Sequence, residues 1–476
     1  MALICRNLLK QCFNKQIQAY STLSERSKAH LKYCLLPDKS FLQIRGPDTV
    51  KFLNGLVMAK LLPTYVQKNL TTIVPDESRT NNISVENFDM SHGNWGLYNE
   101  HGEGGGPYIS RFGTYTGFLN SKGKLITDTI IYPTPTWLDS VYDKKFPEYL
   151  LELDSKIVKH MYDIFETHKL ISKVKFKEVG GEKLKSWHIS IQFPSLPEGI
   201  QNPWIDNLIL PSESSKEPNT SLEFSKHILS LLFSGNEHKI LGIYLDRRIT
   251  EAIFRNNEEP EVFRIITTSE VSDISDLFNP QGFPFEFVHE QIDFQEVRNE
   301  RFQFGIVDSL SDFKQEAMLP LEINFDYIPG AVSFDKGCYV GQELTARTYS
   351  TGVLRKRAIP VKIGNPDLLK SLHADKYPKI LSSIALDTDS SDRPAFSPFG
   401  TATKTIKNKR QRPAGTLICF EADYGVALFR TDYLKEAFKK NTKGMFYVSI
   451  PDSEQKIIIE PQEPLWFNEW QEDQDK

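Results

Sequence analysis

The spacing of apolar positions changes character twice along the chain. Residues 41–60 read FLQIRGPDTVKFLNGLVMAK. The alternating start predicts a strand, Gly46-Pro47 a turn, and Pro47-Asp48 the opening of a helix. Phe52, Leu53, Leu56 and Val57 give that helix one apolar face. Residues 64–113 then lose periodicity and become polar and glycine-rich, which predicts a long surface insertion. Gly117–Leu119 and Leu125–Ile131 are apolar runs joined by Asn-Ser-Lys-Gly and Lys124, a β-hairpin signal. Tyr149–Leu153 predicts another strand. Asp154 is a candidate cap for a helix bearing Ile157, Met161, Ile164 and Phe165. Val174 and Phe176 alternate with lysines as in a strand, residues 211–222 have loop composition, and 291–312 predict a returning helix. Beyond Thr351-Gly352 the helical period gives way to short β-type runs at 357–363, 414–420, 426–429, 446–450 and 456–459. These predict a small β-barrel or sandwich, interrupted by a polar and then basic insertion at 387–413.

Composition narrows the class. The chain has 476 residues, 39% hydrophobic and 25% charged, so it predicts a globular protein of more than one domain. No apolar run reaches the length of about 18 residues that a membrane span requires. Residues 1–24 differ from the rest: they contain Arg6, Lys10 and Lys15, no acid, and an apolar arc of Ile4, Leu8, Leu9, Cys12 and Phe13. That pattern predicts a mitochondrial transit peptide over 1–28. Its removal would take away five basic residues and one acidic residue, moving the formal charge from −5 to −9. So acidic a chain argues against wholesale nucleic-acid binding.

The cysteines are Cys5, Cys12, Cys34, Cys338 and Cys419, with no Cys-x-x-Cys pair and no zinc-type spacing. A resident iron–sulfur cluster takes about four thiolates. No permanent cluster is therefore expected, although one thiol can share a cluster with a partner. The chemistry concentrates in residues 334–347, Phe-Asp-Lys-Gly-Cys-Tyr-Val-Gly-Gln-Glu-Leu-Thr-Ala-Arg. A nearby cation or helix N-terminus favours a thiolate. Lys336 and a helix starting near Val340–Gln342 would supply both to Cys338. Read from residue types alone, the same stretch is equally a buried structural cysteine in a glycine-flanked turn. Glu343 and Arg347 have the spacing of a helix ion pair. The basic group Lys404, Lys407, Lys409, Arg410 and Arg412 reads as a solvated loop.

Lys-Gly-Cys-Tyr-x-Gly-Gln-Glu resembles the motif of the YgfZ family, the iron–sulfur-assembly branch of the folate-binding aminomethyltransferase superfamily. The likeness runs in patches over 40–60, 115–180, 240–250, 290–357 and 414–435. It implies an α+β fold: two α/β units of the aminomethyltransferase type around a central hole, plus a C-terminal β-barrel. The first unit would span 29–150 and be completed by 296–350, the second 151–295, and the barrel 351–476. The resemblance implies Cys338 and Lys336 as the reactive pair. It also implies a tetrahydrofolate site with Asp128 as the pterin carboxylate and Tyr339, Gln342, Glu343 and Arg347 beside it. Asp246-Arg247-Arg248 resembles the family's Asp-x-Arg element; an ordinary surface ion pair is the alternative. Thr127 stands where the transferase branch has an acid, and that branch's Thr-Gly-Glu-Asp-Gly element is absent from 150–250. Both departures speak against aminomethyl transfer.

The function implied is late iron–sulfur cluster assembly in the mitochondrial matrix. It would serve four-iron proteins such as aconitase and radical-SAM enzymes, with A-type scaffold proteins as partners. The rival readings are a folate-dependent one-carbon transferase and a noncatalytic scaffold.

Overall fold

A computed structural model describes residues 28–61, 113–133, 148–194, 228–249, 259–281, 283, 286–370, 377–383, 412–438, 444–451 and 453–474. The expected transit peptide, the insertions at 64–113 and 387–413 in nearly all their length, and the 211–222 loop lie outside the described residues. The chain forms two compact units. The larger takes residues up to Val297 together with Asp308–Pro320 and Phe325–Ser350. The smaller takes Arg298–Val307, Leu321–Asn324 and Thr351–Lys476.

Two five-stranded sheets build the larger unit. One runs β3 (Thr114–Leu119), β4 (Leu125–Pro133), β5 (Glu148–Asp154), β2 (Lys39–Arg45), β6 (Lys175–Val179), all antiparallel. The other runs β10 (Glu286–Gln291), β1 (Lys28–Leu35), β7 (Leu184–Gln192), β9 (Glu261–Thr268), β8 (Ile240–Leu245). β1 is parallel to β10 and antiparallel to β7. The expected boundary at 150/151 falls inside β5. β1 joins the second sheet, while β5 and β6 remain with the first. Periodicity marks strands well but does not say which sheet a strand enters.

The first sheet carries its core on the side of α1 (Thr49–Asn54) and α2 (Val158–Lys169). Phe52, Phe165 and Phe176 meet there with ring centroids 5.4–5.6 Å apart. Asp154 does not cap α2. It ends β5, and its Oδ1 accepts Lys156 N at 2.8 Å in the turn before Ile157. The returning helix is shorter than the pattern predicts: α3 covers Phe294–Gln303, and Gly305 at φ 72 stops it. The segment after it is drawn into polar contacts described below.

The smaller unit is α+β around a closed barrel in the order β11 (Lys356–Ile363), β14 (Tyr424–Arg430), β13 (Gly415–Glu421), β12 (Lys379–Ser382), β15 (Phe446–Ser449), β16 (Lys456–Pro461). Closure removes free sheet edges. The α+β class and the C-terminal barrel agree with the sequence expectation. Among the described residues, no helix is long and apolar enough to cross a membrane.

Candidate functional site

The cysteine segment is the loop leading into α4 (Gln342–Thr351), which begins where the sequence places it. Polar contacts lash this loop to the turn that follows α1. Ser333 N donates to Met58 O at 3.0 Å, and Val340 N to Gly55 O at 3.2 Å. Lys336 Nζ donates to the carbonyls of Asn54, Val57 and Ala59 at 2.7–2.8 Å. An ammonium has three protons, and three carbonyls receive them. Its place beside Cys338 in sequence therefore serves the loop's shape. This geometry makes Lys336 a positioning residue rather than a cation held for an acidic ligand.

Lys336 also sits 4.8 Å from the centre of the Tyr339 ring. Tyr339 is buried, and burial pushes its phenol up to about 12. It packs in the protein interior, with its N–H donated to Gln342 Oε1 at 3.2 Å. Gln342 is thereby spent on the loop as well. Gly341 has φ 78, and a Cβ there would lie 2.4 Å from Asn120 O. Only glycine lets the loop seat against the β3–β4 hairpin. Val340 packs onto the core of the first sheet. With Tyr339 and Val340 turned inward, Cys338 is left exposed as a free thiol. Glu343 and Arg347 are exposed on α4, and Phe334 stacks on Tyr349 at 3.5 Å with both rings partly in solvent. The reading of Cys338 as a buried structural cysteine is overturned. Cys34 and Cys419 are the buried ones.

Asp128 is somewhere else in character. It lies buried on β4, not at a turn surface. Tyr115 donates its hydroxyl to Oδ2 at 3.0 Å, and Ser309 N reaches both oxygens at 3.1 Å. Burial, with Asp308 close by, pushes the Asp128 carboxyl up to about 6. Around it lies a network that the sequence reading did not find. Arg264 bridges Asp308 at 2.6 Å and Glu152 at 2.7 Å, and Lys39 holds Asp308 at 2.9 Å. Arg248 grips Asp246 at 2.6 Å and reaches Asp308 at 3.3 Å. Asp246 and Arg248 are thus a buried pair, not a surface one. Glu152 also accepts from Tyr132 at 3.1 Å and Ser186 at 2.9 Å. Asp38 accepts from Ser311 and Ser309 at 2.7 and 3.1 Å. Burial opposes its charge, but Lys39 and these hydroxyls hold it below the usual carboxylate range.

Lys39, Tyr115, Asp128, Glu152, Arg264 and Asp308 line a cavity with room for about one water molecule. Among the described residues, no three His, Cys, Asp or Glu side chains gather to hold a metal ion.

The chain has similar counterparts among known proteins. The mitochondrial iron–sulfur cluster assembly factor IBA57 of Saccharomyces cerevisiae is 46% identical over 448 residues, covering 92% of this chain and 89% of its own length. The IBA57 homolog of Candida glabrata is 43% identical, covering 98% of this chain and 96% of its own. That of Kluyveromyces lactis is 43% identical, covering 92% and 93%. No protein-family model matches the chain. A solved glycine cleavage system aminomethyltransferase T from Bartonella henselae aligns over 96% of this chain and 90% of its own, at 8% identity and a TM-score of 0.46. On identity and coverage by the three yeast proteins, the chain belongs to the family of mitochondrial IBA57 iron–sulfur cluster assembly factors.

Proposed function

We propose that Cys338 is the thiol through which this protein engages an iron–sulfur cluster that is its cargo in mitochondrial cluster assembly. The carrying observation is an exposed sulfur on a loop held by its neighbours Lys336, Tyr339 and Gln342. A tethered loop presents its thiol in one place. Little ordering is then needed when a partner arrives. The step is a ligand substitution with no change of oxidation state: the Sγ–H bond breaks, its proton passes through water to the departing donor thiolate, that thiolate's bond to iron breaks, and an Sγ–Fe bond forms. One thiolate supplies one ligand of about four that a cluster takes. The others come from a partner assembly protein, for which the A-type scaffold proteins are our candidates. We place this exchange in the matrix, late in assembly, where four-iron enzymes of the aconitase and radical-SAM types would draw on it.

The proposed step requires neither tetrahydrofolate nor Asp128, whose carboxylate accepts from Tyr115 and Ser309. The test is rescue of cells depleted of the protein. Cys338→Ser should leave matrix aconitase activity at the depleted level, while Asp128→Asn restores it. Full rescue by Cys338→Ser would end the proposal. Loss in Asp128→Asn, with the protein folded and tetrahydrofolate binding abolished, would favour the transferase instead.

A further inference from the structure

The turn after α2 presents two adjacent aliphatic residues to solvent. Leu170 is 85% exposed and Ile171 is 96% exposed. Single exposed leucines are ordinary, but a neighbouring pair almost wholly in water is not. The turn is built firmly. Ser172 N donates to Lys169 O at 2.7 Å, and Lys173 N to Asp48 Oδ2 at 2.7 Å. Gly46 passes so close that a Cβ there would lie 2.1 Å from Lys173 O. Val174 and Phe165 flank the turn and are buried, so the core claims its neighbours and leaves the tip. Leu170 holds φ 44, a backbone region that leucine rarely adopts.

The segment around the tip is rich in lysine, although Asp48 accepts from the turn, Glu166 pairs with Lys169, Glu148 with Arg45, and exposed Glu178 follows Lys177. Residues 167–177 contain Lys169, Lys173, Lys175 and Lys177 and no acid, in a chain whose net charge is −5. Lys173, Lys175 and Lys177 are exposed. Lys175 pairs in register with Arg45 across the sheet edge formed by β6. From these observations we infer that the Leu170–Ile171 tip docks this protein on a bilayer surface rich in anionic lipid. The two aliphatic side chains enter the headgroup boundary and the lysines meet lipid phosphates. Charge complementarity favours a lipid surface. So does shape. A stable protein interface takes about 800 Å² from each partner and is anchored by aromatic or arginine residues in pockets. Two projecting aliphatic residues followed by the exposed Lys173, Lys175 and Lys177 fit an interface between water and hydrocarbon better.

The inference does not depend on Cys338 or on cluster chemistry, and its test needs neither. The full chain is floated with vesicles of phosphatidylcholine alone and of phosphatidylcholine mixed with cardiolipin. It should bind only the mixed vesicles, and less as salt rises. Leu170→Asn with Ile171→Ser should weaken binding by about tenfold per residue. The tip makes no core contact and asparagine tolerates positive φ, so thermal unfolding should not move. Lys173→Gln and Lys175→Gln should each cost about fivefold. Equal binding to both vesicle types would overturn the inference. So would binding that survives the tip substitutions, which would leave charge alone as its cause. Absence of vesicle binding, with the tip needed to capture a purified acidic assembly protein, would assign the surface to a protein instead.

Discussion

The buried network around Asp308 and the loop carrying Cys338 use similar polar residues to opposite ends. In the network each charge faces another charge: Lys39, Arg248 and Arg264 all converge on Asp308. The cavity there has room for about one water molecule. In the loop, Lys336 and Gln342 are also engaged internally, but the Cys338 thiol between them faces outward. The contrast teaches that a functional group can be recognised by what its neighbours hold in place. Polarity and charge density point to the wrong region here, because the densest charge is the least available.

This contrast can be broken by stability measurements, beginning with the network. Arg264→Met removes the partner of both Asp308 and Glu152 and should cost about 3–5 kcal/mol in denaturant unfolding. A loss below about 1 kcal/mol would mean the network is not the strut described.

Asp128 sharpens the comparison through pH. Its carboxyl sits near 6 in the fold against an ordinary 3.8. The folded state therefore keeps this proton where the unfolded chain has released it. Stability from this group should be greatest below about pH 4 and fall as pH rises to about 6, by up to about 3 kcal/mol in total. Asp128→Asn mimics the protonated form. It should flatten that fall and raise stability at pH 7, and an unchanged pH profile would contradict the assignment.

Smaller effects belong to the loop. Lys336→Met should cost about 1–2 kcal/mol, since the ammonium is half-buried and water can replace part of its bonding. The more telling readout is Cys338 itself. Its reaction with a disulfide reagent should change in rate in Lys336→Met as the loop loosens, and an unchanged rate would deny Lys336 its positioning role. Smallest of all, Cys338→Ser should leave unfolding within about 0.5 kcal/mol of the parent, as befits an exposed side chain. That near-silence in stability, set against loss of aconitase rescue, is what separates a working group from a structural one.

The loop was legible because its parts are contiguous. Lys336, Gly337, Cys338, Tyr339, Gly341 and Gln342 form one local motif, and Gly341 and Gln342 do the turn and helix-start work that their types suggest. What sequence could not say is the direction of Lys336, drawn inward by carbonyls some 280 residues earlier in the chain, and of Tyr339, whose ring lies 4.8 Å from that ammonium. The network was illegible for the same reason on a larger scale. Lys39 and Asp308 come together only through the sheet topology. A local signal did exist in Glu152 within Tyr-Leu-Leu-Glu-Leu and Arg264 within Val-Phe-Arg-Ile-Ile. A lone charge inside an apolar strand asks for a buried partner. The barrel strands were readable as short β-type runs, except β12, whose four residues Lys-Ile-Leu-Ser stand just before the polar insertion.

The position of β1 carries a consequence for how the molecule is made. This first strand lies inside its sheet, with Lys28 paired to Glu286 on one side and Leu35 to Trp187 on the other. A chain entering an organelle with its amino end leading delivers β1 early and β10 late. Until the late partner emerges, one edge of β1 stays open to unrelated strands. Newly imported copies should therefore lean on chaperones, and slowed translocation should harm this protein before it harms neighbours whose first strand is an edge.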